Sequence, residues 1–182
     1  MQLEDAALLQ LFKQEATKEK AFTDLVKKYQ ERLYWHIRRM VVDHDDANDV
    51  LQNVFIKVWK ALANFREDSQ LFTWLYKIAT NECLTFLDQK KRKDAVSFDE
   101  IESGLSNKIK ADEGFDAEKL EWKLQLAIQQ LPEKQRIVFN LRYYDEMPYE
   151  EMSQVLGTSE GALKASYHHA AKKIEEFIKN GD

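Results

Sequence analysis

The 182 residues include only five glycines, two prolines and one cysteine. So few glycines and prolines exclude collagen-like and low-complexity chains and leave little material for sharp turns. A lone thiol, Cys83, excludes an internal disulfide, and no Cys/His group has metal-ligand spacing. A reducing cytoplasm is the expected compartment. No apolar run reaches the roughly 18 residues that span a bilayer, and no signal-peptide pattern is visible, so no membrane insertion is expected. Alternating strand patterns, internal repeats and low-complexity tracts are missing as well. There is no glycine-rich phosphate loop and no nucleophile elbow, and Cys83 sits in a helical pattern as a small packing residue. An enzyme is not expected, nor a metal or other cofactor.

An excess of basic residues is also lacking. The net charge is −5, which argues against a stand-alone DNA binder. The distribution says more than the sum. Residues 1–62 hold ten acids and ten bases. Residues 63–93 hold four acids and six bases, ending in Lys90-Lys91-Arg92-Lys93. Residues 94–119 hold eight acids and three bases, and residues 120–182 hold ten and eight. The whole deficit therefore equals that of the 94–119 segment.

What is present is 44% hydrophobic and 32% charged residues, a mixture suited to amphipathic helices. Phe22, Leu25, Val26, Tyr29, Leu33, Ile37, Met40 and Val41 make one stripe over 22–41. Asp45 or Asp46 can cap a second helix that runs to about Leu62, with Val50, Val54, Phe55, Val58, Trp59 and Leu62 inward. After the polar stretch 64–69, a third helix starts near Leu71 and fades at Lys90, with Leu75, Ile78, Ala79 and Phe86 on its inner face. From Asp94 to about Ala117 the pattern fails, and Gly104 and Gly114 fall there, so this reads as a flexible acidic linker. Periodicity resumes at Leu120, Leu124, Ala127, Ile128 and Leu131. Pro132 suits the first turn of the next helix, and Pro148 opens another with Tyr149, Met152, Val155 and Leu156 inward. Gly157 caps that helix. Thr158 or Ser159 starts the last one, whose inner face is Leu163, Tyr167, Ala170, Ile174, Phe177 and Ile178. The expected class is all-α: an N-terminal helical bundle over 1–93, a linker over 94–117 and a helix-turn-helix bundle over 118–182.

Three surfaces stand out. In the last helix, Gly161, Lys164, Ala165, His168 and Lys172 line the outer stripe behind the capping segment Thr158-Ser159-Glu160. Small residues there permit close approach to DNA and lysines supply phosphate charge, although any three-helix bundle has a solvated face of this kind. His168 and His169 point about 100° apart on a helix and are poor metal ligands. In the second helix, Asp49, Gln52, Asn53 and Ile56 share the outer face, which reads either as a protein-docking surface or as a solvated face with one stray apolar residue. Third, Asn64, Phe65, Arg66, Trp74, Lys77 and Asn81 interleave aromatics with cations and amides, as single-stranded nucleic acid requires, while Phe72 and Trp74 also fit a helical core.

The string Asp46-Ala47-Asn48-Asp49-Val50-Leu51-Gln52-Asn53-Val54-Phe55-Ile56-Lys57-Val58-Trp59, with Phe72-Thr73-Trp74-Leu75-Tyr76-Lys77-Ile78-Ala79-Thr80-Asn81, resembles the second domain of bacterial sigma factors. Leu131-Pro132, Tyr149-Glu150-Glu151-Met152 and Gly161-Ala162-Leu163-Lys164 resemble their fourth domain. Both sets in this order, with no third domain between, look like the small extracytoplasmic-function (ECF) group, over about residues 15–180.

The resemblance implies a transcription-initiation factor that binds core RNA polymerase (beta and beta-prime subunits) and promoter DNA. It implies that Asp49, Gln52, Asn53 and Ile56 face the polymerase clamp. Asn64, Phe65, Arg66 and Trp74 would hold the melted non-template strand of the minus-ten element, with Lys77 and Asn81 facing it from the next helix. Thr158, Ser159, Glu160, Gly161, Lys164, Ala165, His168 and Lys172 would read the minus-thirty-five duplex. The acidic linker would thread toward the active site and RNA channel, an anti-sigma factor would hold the protein inactive, and the free chain would be a monomer. The chain departs from the family's pattern in two places. Asn53 stands where Glu is usual, and Ser166, His169 and Ala171 stand where Arg is frequent. Weak, salt-sensitive binding to free DNA follows. A dimeric repressor or activator and a helical protein-binding adaptor are the competing readings.

Overall fold

The computed structural model describes residues 3–94 and 120–180, which form eight α-helices and one 3-10 turn, with no strand among the described residues. The chain divides into two units at the Leu87–Asp88 bond. All of the expected linker beyond Asp94 lies outside the described residues.

The first unit starts with a helix that the sequence pattern did not suggest. Helix α1 (Asp5–Phe12) buries Leu8, Leu9 and Phe12. The Thr17 hydroxyl donates to the Leu11 carbonyl at 2.7 Å, which turns the chain into α2 (Lys18–Val41). Asp5 clips α1 onto α2 by accepting from the Tyr29 hydroxyl and the Lys28 ammonium at 2.7 and 2.8 Å. Phe12, Phe22 and Trp59 meet around the same seam, Phe12 and Trp59 edge to face at 5.4 Å.

Helix α2 ends on a γ-turn. Val42 has φ 67° and ψ −40°, and the Asp43 N–H donates back to the Val41 carbonyl at 2.8 Å. This is a costly backbone for a β-branched residue, and burial of the Val42 side chain offsets it. Helix α3 (His44–Ala61) is capped by Asp43, whose side chain accepts from the Asp45 and Asp46 N–H groups. Asp45 and Asp46 are therefore first-turn residues, not caps, because the γ-turn brings the chain into helix two residues earlier. Their charge still suits the helix dipole. A 3-10 turn (Leu62–Asn64) and a short loop lead to α4 (Leu71–Asp94), which continues four residues past the expected end through the basic run.

Leu25, Leu33, Ile37, Val50, Val54, Val58, Leu75 and Ala79 are fully buried. Each Leu, Ile and Val among them contributes about 1.5–3 kcal/mol, several times a surface ion pair, so the apolar rows decide which faces point outward. Phe55, Trp59, Ile78 and Phe86, expected inside, are only half-buried. His36 is a buried polar link, its Nε2 lying 2.9 Å from the Thr80 hydroxyl of α4.

The second unit packs α5 (Leu120–Gln129), α6 (Glu133–Tyr143), α7 (Tyr149–Leu156) and α8 (Glu160–Asn180) around Ala127, Ile128, Leu131, Phe139, Ala170 and Ile174. Pro132 and Pro148 sit one position before their helices, at the N-cap, and not inside the first turn. Gly157 takes the left-handed conformation at φ 63° and ends α7. Ser159 caps α8 by accepting from the Ala162 N–H at 3.3 Å, while the Thr158 hydroxyl turns back to the Leu156 carbonyl. Phe177, expected inside, is 38% exposed. Ala170, Ile174 and Ile178 follow one another at four-residue spacing along the core, and Phe177 falls off that row.

Candidate nucleic-acid and protein interfaces

Helix α3 presents two sharply different sides. Val50, Val54 and Val58 are fully buried, whereas Asp49, Gln52 and Asn53 are exposed, and Ile56 is 46% exposed. Asp49, Gln52 and Ile56 follow at three- and four-residue spacing, so they form one row with Asn53 at its edge. A carboxylate, two amides and an open aliphatic group suit a protein surface offering cations, amides and an apolar patch. On α2, Trp35 is 51% exposed and edge-on to Tyr34 at 5.3 Å. Periodicity could have flagged Trp35, which falls opposite the Leu33–Ile37 row.

The loop between the 3-10 turn and α4 is folded onto the helix. Phe65 packs on Trp74 at 5.0 Å, and both are half-buried. Asn64 and Arg66 on one side, and Lys77 and Asn81 on the next turns of α4, are exposed. Glu67 bends the loop with φ 58°, a left-handed backbone that costs a non-glycine residue about 1 kcal/mol, and its carboxylate lies 3.8 Å from Lys13 at the end of α1. Phe72 is not part of this face. It packs on Tyr76 at 4.4 Å, and the Arg32 guanidinium covers its ring at 4.3 Å. Trp74, Lys77 and Asn81 thus share one side of α4, an aromatic plane beside a cation and an amide.

At the start of α8 and along it, Thr158, Ser159, Glu160, Gly161, Lys164, Ala165, His168 and Lys172 are all exposed. A Cβ placed at Gly161 would meet nothing within 4 Å, so the space over the first turn is open. The structure adds two residues to this surface. The Tyr149 ring lies under the Arg142 guanidinium at 4.8 Å and under the Lys164 ammonium at 5.6 Å. Arg142 also donates to the Met147 carbonyl at 3.1 Å, which fixes it across the turn into α7. Tyr149, expected inward, is half-buried, and its ring meets both cations. Two cations held by one ring are pre-organised for phosphate. Nearby, burial raises the Tyr167 phenol above its ordinary pKa.

No group of three metal-binding side chains occurs among the described residues. Cys83 is buried, and desolvation pushes its thiol well above the ordinary range, so it is not poised as a nucleophile. No described helix is long and apolar enough to cross a membrane.

Residues 25–93 match the family Sigma-70 region 2, and residues 121–174 match the family Sigma-70, region 4. The chain belongs to the sigma-70 family. It is an ECF-type sigma factor. It is 32% identical to the RNA polymerase sigma-H factor of Pseudomonas aeruginosa over 167 residues, covering 87% of this chain and 86% of the relative. It is 32% identical to the ECF RNA polymerase sigma-E factor of Escherichia coli over 168 residues, covering 88% and 87%. Its fold is shared by the sigma factor RpoE from Bartonella quintana, solved with the anti-sigma factor NepR (TM-score 0.67, 20% identity, 88% of this chain and 98% of the other). It is shared too by CnrH, solved with the cytosolic domain of CnrY (TM-score 0.71, 22% identity, 98% and 99%). In this sigma factor all three surfaces lie within the matched spans, whereas α1 precedes them.

Proposed function

We propose that this sigma factor divides its work among the three surfaces. The α3 row of Asp49, Gln52, Asn53 and Ile56 docks on the clamp of core RNA polymerase. The loop residues Asn64, Phe65 and Arg66, with Trp74, Lys77 and Asn81, receive the opened minus-ten strand. The α8 face, Thr158 to Lys172, reads the minus-thirty-five duplex. Arg142 and Tyr149 join that last surface, where they and Lys164 grip the DNA backbone. The observation that carries this division is the two-sidedness of α3: a fully buried valine row opposite an exposed row that includes Ile56.

The corresponding domains are residues 1–93 for polymerase and the minus-ten element and 118–182 for the minus-thirty-five element, joined by the acidic segment 94–117. The protein works by binding, with no chemical step of its own, and acts as a monomer in the cytoplasm. Because RpoE and CnrH were each solved with a protein partner, RpoE's being the anti-sigma factor NepR, an anti-sigma partner is proposed here too.

Charge reversal separates the surfaces. Asp49→Arg is expected to abolish co-purification with core polymerase and leave thermal unfolding unchanged, since the side chain is exposed. Lys164→Glu is expected to retain core binding and reduce promoter output at least tenfold, about 1.4 kcal/mol. Unchanged co-purification for the first, or unchanged output for the second, contradicts the assignment of that surface.

A further inference from the structure

Apolar rows place α3 and α4 in the first unit, but hydrophobic burial is non-directional and tolerates small rotations. A directional tie is present. The Lys57 ammonium of α3 donates to the Glu82 carboxylate of α4. Lys57 directly follows Ile56 on the docking helix, and Glu82 directly follows Asn81 on the helix assigned to the minus-ten strand. The two partners differ in their surroundings: the Glu82 side chain is 12% exposed, whereas Lys57 is 57% exposed.

We propose that the Lys57–Glu82 ion pair is a positioning device for promoter opening, which fixes the strand-binding face of α4 relative to the polymerase-binding face of α3. The proposal rests on the assignment of those two faces made above. Its physical core is the asymmetry of the pair. Removing Lys57 leaves a shielded carboxylate without its cation beside Asn81, where it both loosens the tie and repels strand phosphates. Removing Glu82 leaves an ammonium already in water, at little cost. The two single losses are therefore unequal, and the strand, not the polymerase, feels the difference.

The test uses holoenzyme made with full-length chains carrying Lys57→Gln, Glu82→Gln or the swap Lys57→Glu/Glu82→Lys. Core affinity is measured by competition, and opening by permanganate reactivity of unpaired thymines. Lys57→Gln is expected to slow opening about fivefold to tenfold and Glu82→Gln about twofold, with the swap returning to within about twofold of wild type. Core affinity stays within about twofold throughout. The apolar pair Lys57→Met/Glu82→Leu keeps the packing and is expected to retain thermal stability while still slowing opening, which guards against a variant that fails by misfolding. Equal opening by wild type and Lys57→Gln, a swap no better than Lys57→Gln, or opening that falls only in step with core affinity overturns the positioning role. A wild-type holoenzyme that binds core and opens no promoter instead overturns the assignment of the two faces, and the pair's role with it.

Discussion

A buried phenol shows how single residues carry the fold. Tyr29 donates to Asp5 across the α1–α2 seam, and its pKa is raised by burial, then by that hydrogen bond and by the Asp5 charge. The folded state holds this proton more tightly than the unfolded chain. The stabilisation is therefore complete below the unfolded value of about 10 and is lost as pH rises above it. Urea midpoints of wild type should fall more steeply between about pH 10 and 11 than those of Tyr29→Phe, with no such difference between about pH 7 and 9. Parallel curves would contradict the coupling. At this scale the sequence was readable where spacing alone decides exposure: Asp49, Gln52, Ile56, Lys164 and His168 all lie on the outer rows that a 3.6-residue period assigns them. It was not readable for Arg142 and Tyr149, whose approach depends on the turn between α6 and α7. Nor was it readable for the Lys57–Glu82 pair, whose members are 25 residues apart.

Among elements, α1 was not legible, whereas α7, equally short, was marked by Pro148 and Gly157 at its ends. The apolar residues of α1 bunch as Leu8, Leu9, Leu11 and Phe12 within little more than one turn, and Phe12 packs against Phe22 and Trp59 from other helices. The α2–α3 corner escaped for a related reason. Propensity disfavours a valine at positive φ, and tertiary burial of Val42 overrides it. Glycine was easier, since its left-handed role at the end of α7 follows from the chain chemistry alone. Gly157→Ala should lower the unfolding free energy of the C-terminal unit by about 1 kcal/mol, and Gly157→Asn by less, because Asn tolerates this region better. The added Cβ meets nothing within 4 Å, so the cost belongs to the backbone alone. Calorimetry showing no loss for the alanine variant would contradict the left-handed cap.

For the whole molecule, charge and function have to be reconciled. A chain with net charge −5 is poorly suited to hold DNA unaided. The cations proposed to face DNA are few and local: Lys164 and Arg142 around Tyr149, Lys172 further along α8, and Arg66 and Lys77 near Trp74. The proposed function reconciles the two, since a factor bound to core polymerase need not hold DNA by its own charge. The proposed division of work rests on the two motif sets in order, and residues 25–93 and 121–174 match the corresponding sigma-70 regions. Run-off transcription with purified bacterial core polymerase, with and without this protein, on fragments of its own genome tests the division most directly. New discrete start sites that depend on the protein, and that vanish with Asp49→Arg, are the expected result. Tight association with core and no new start site on any fragment would contradict it.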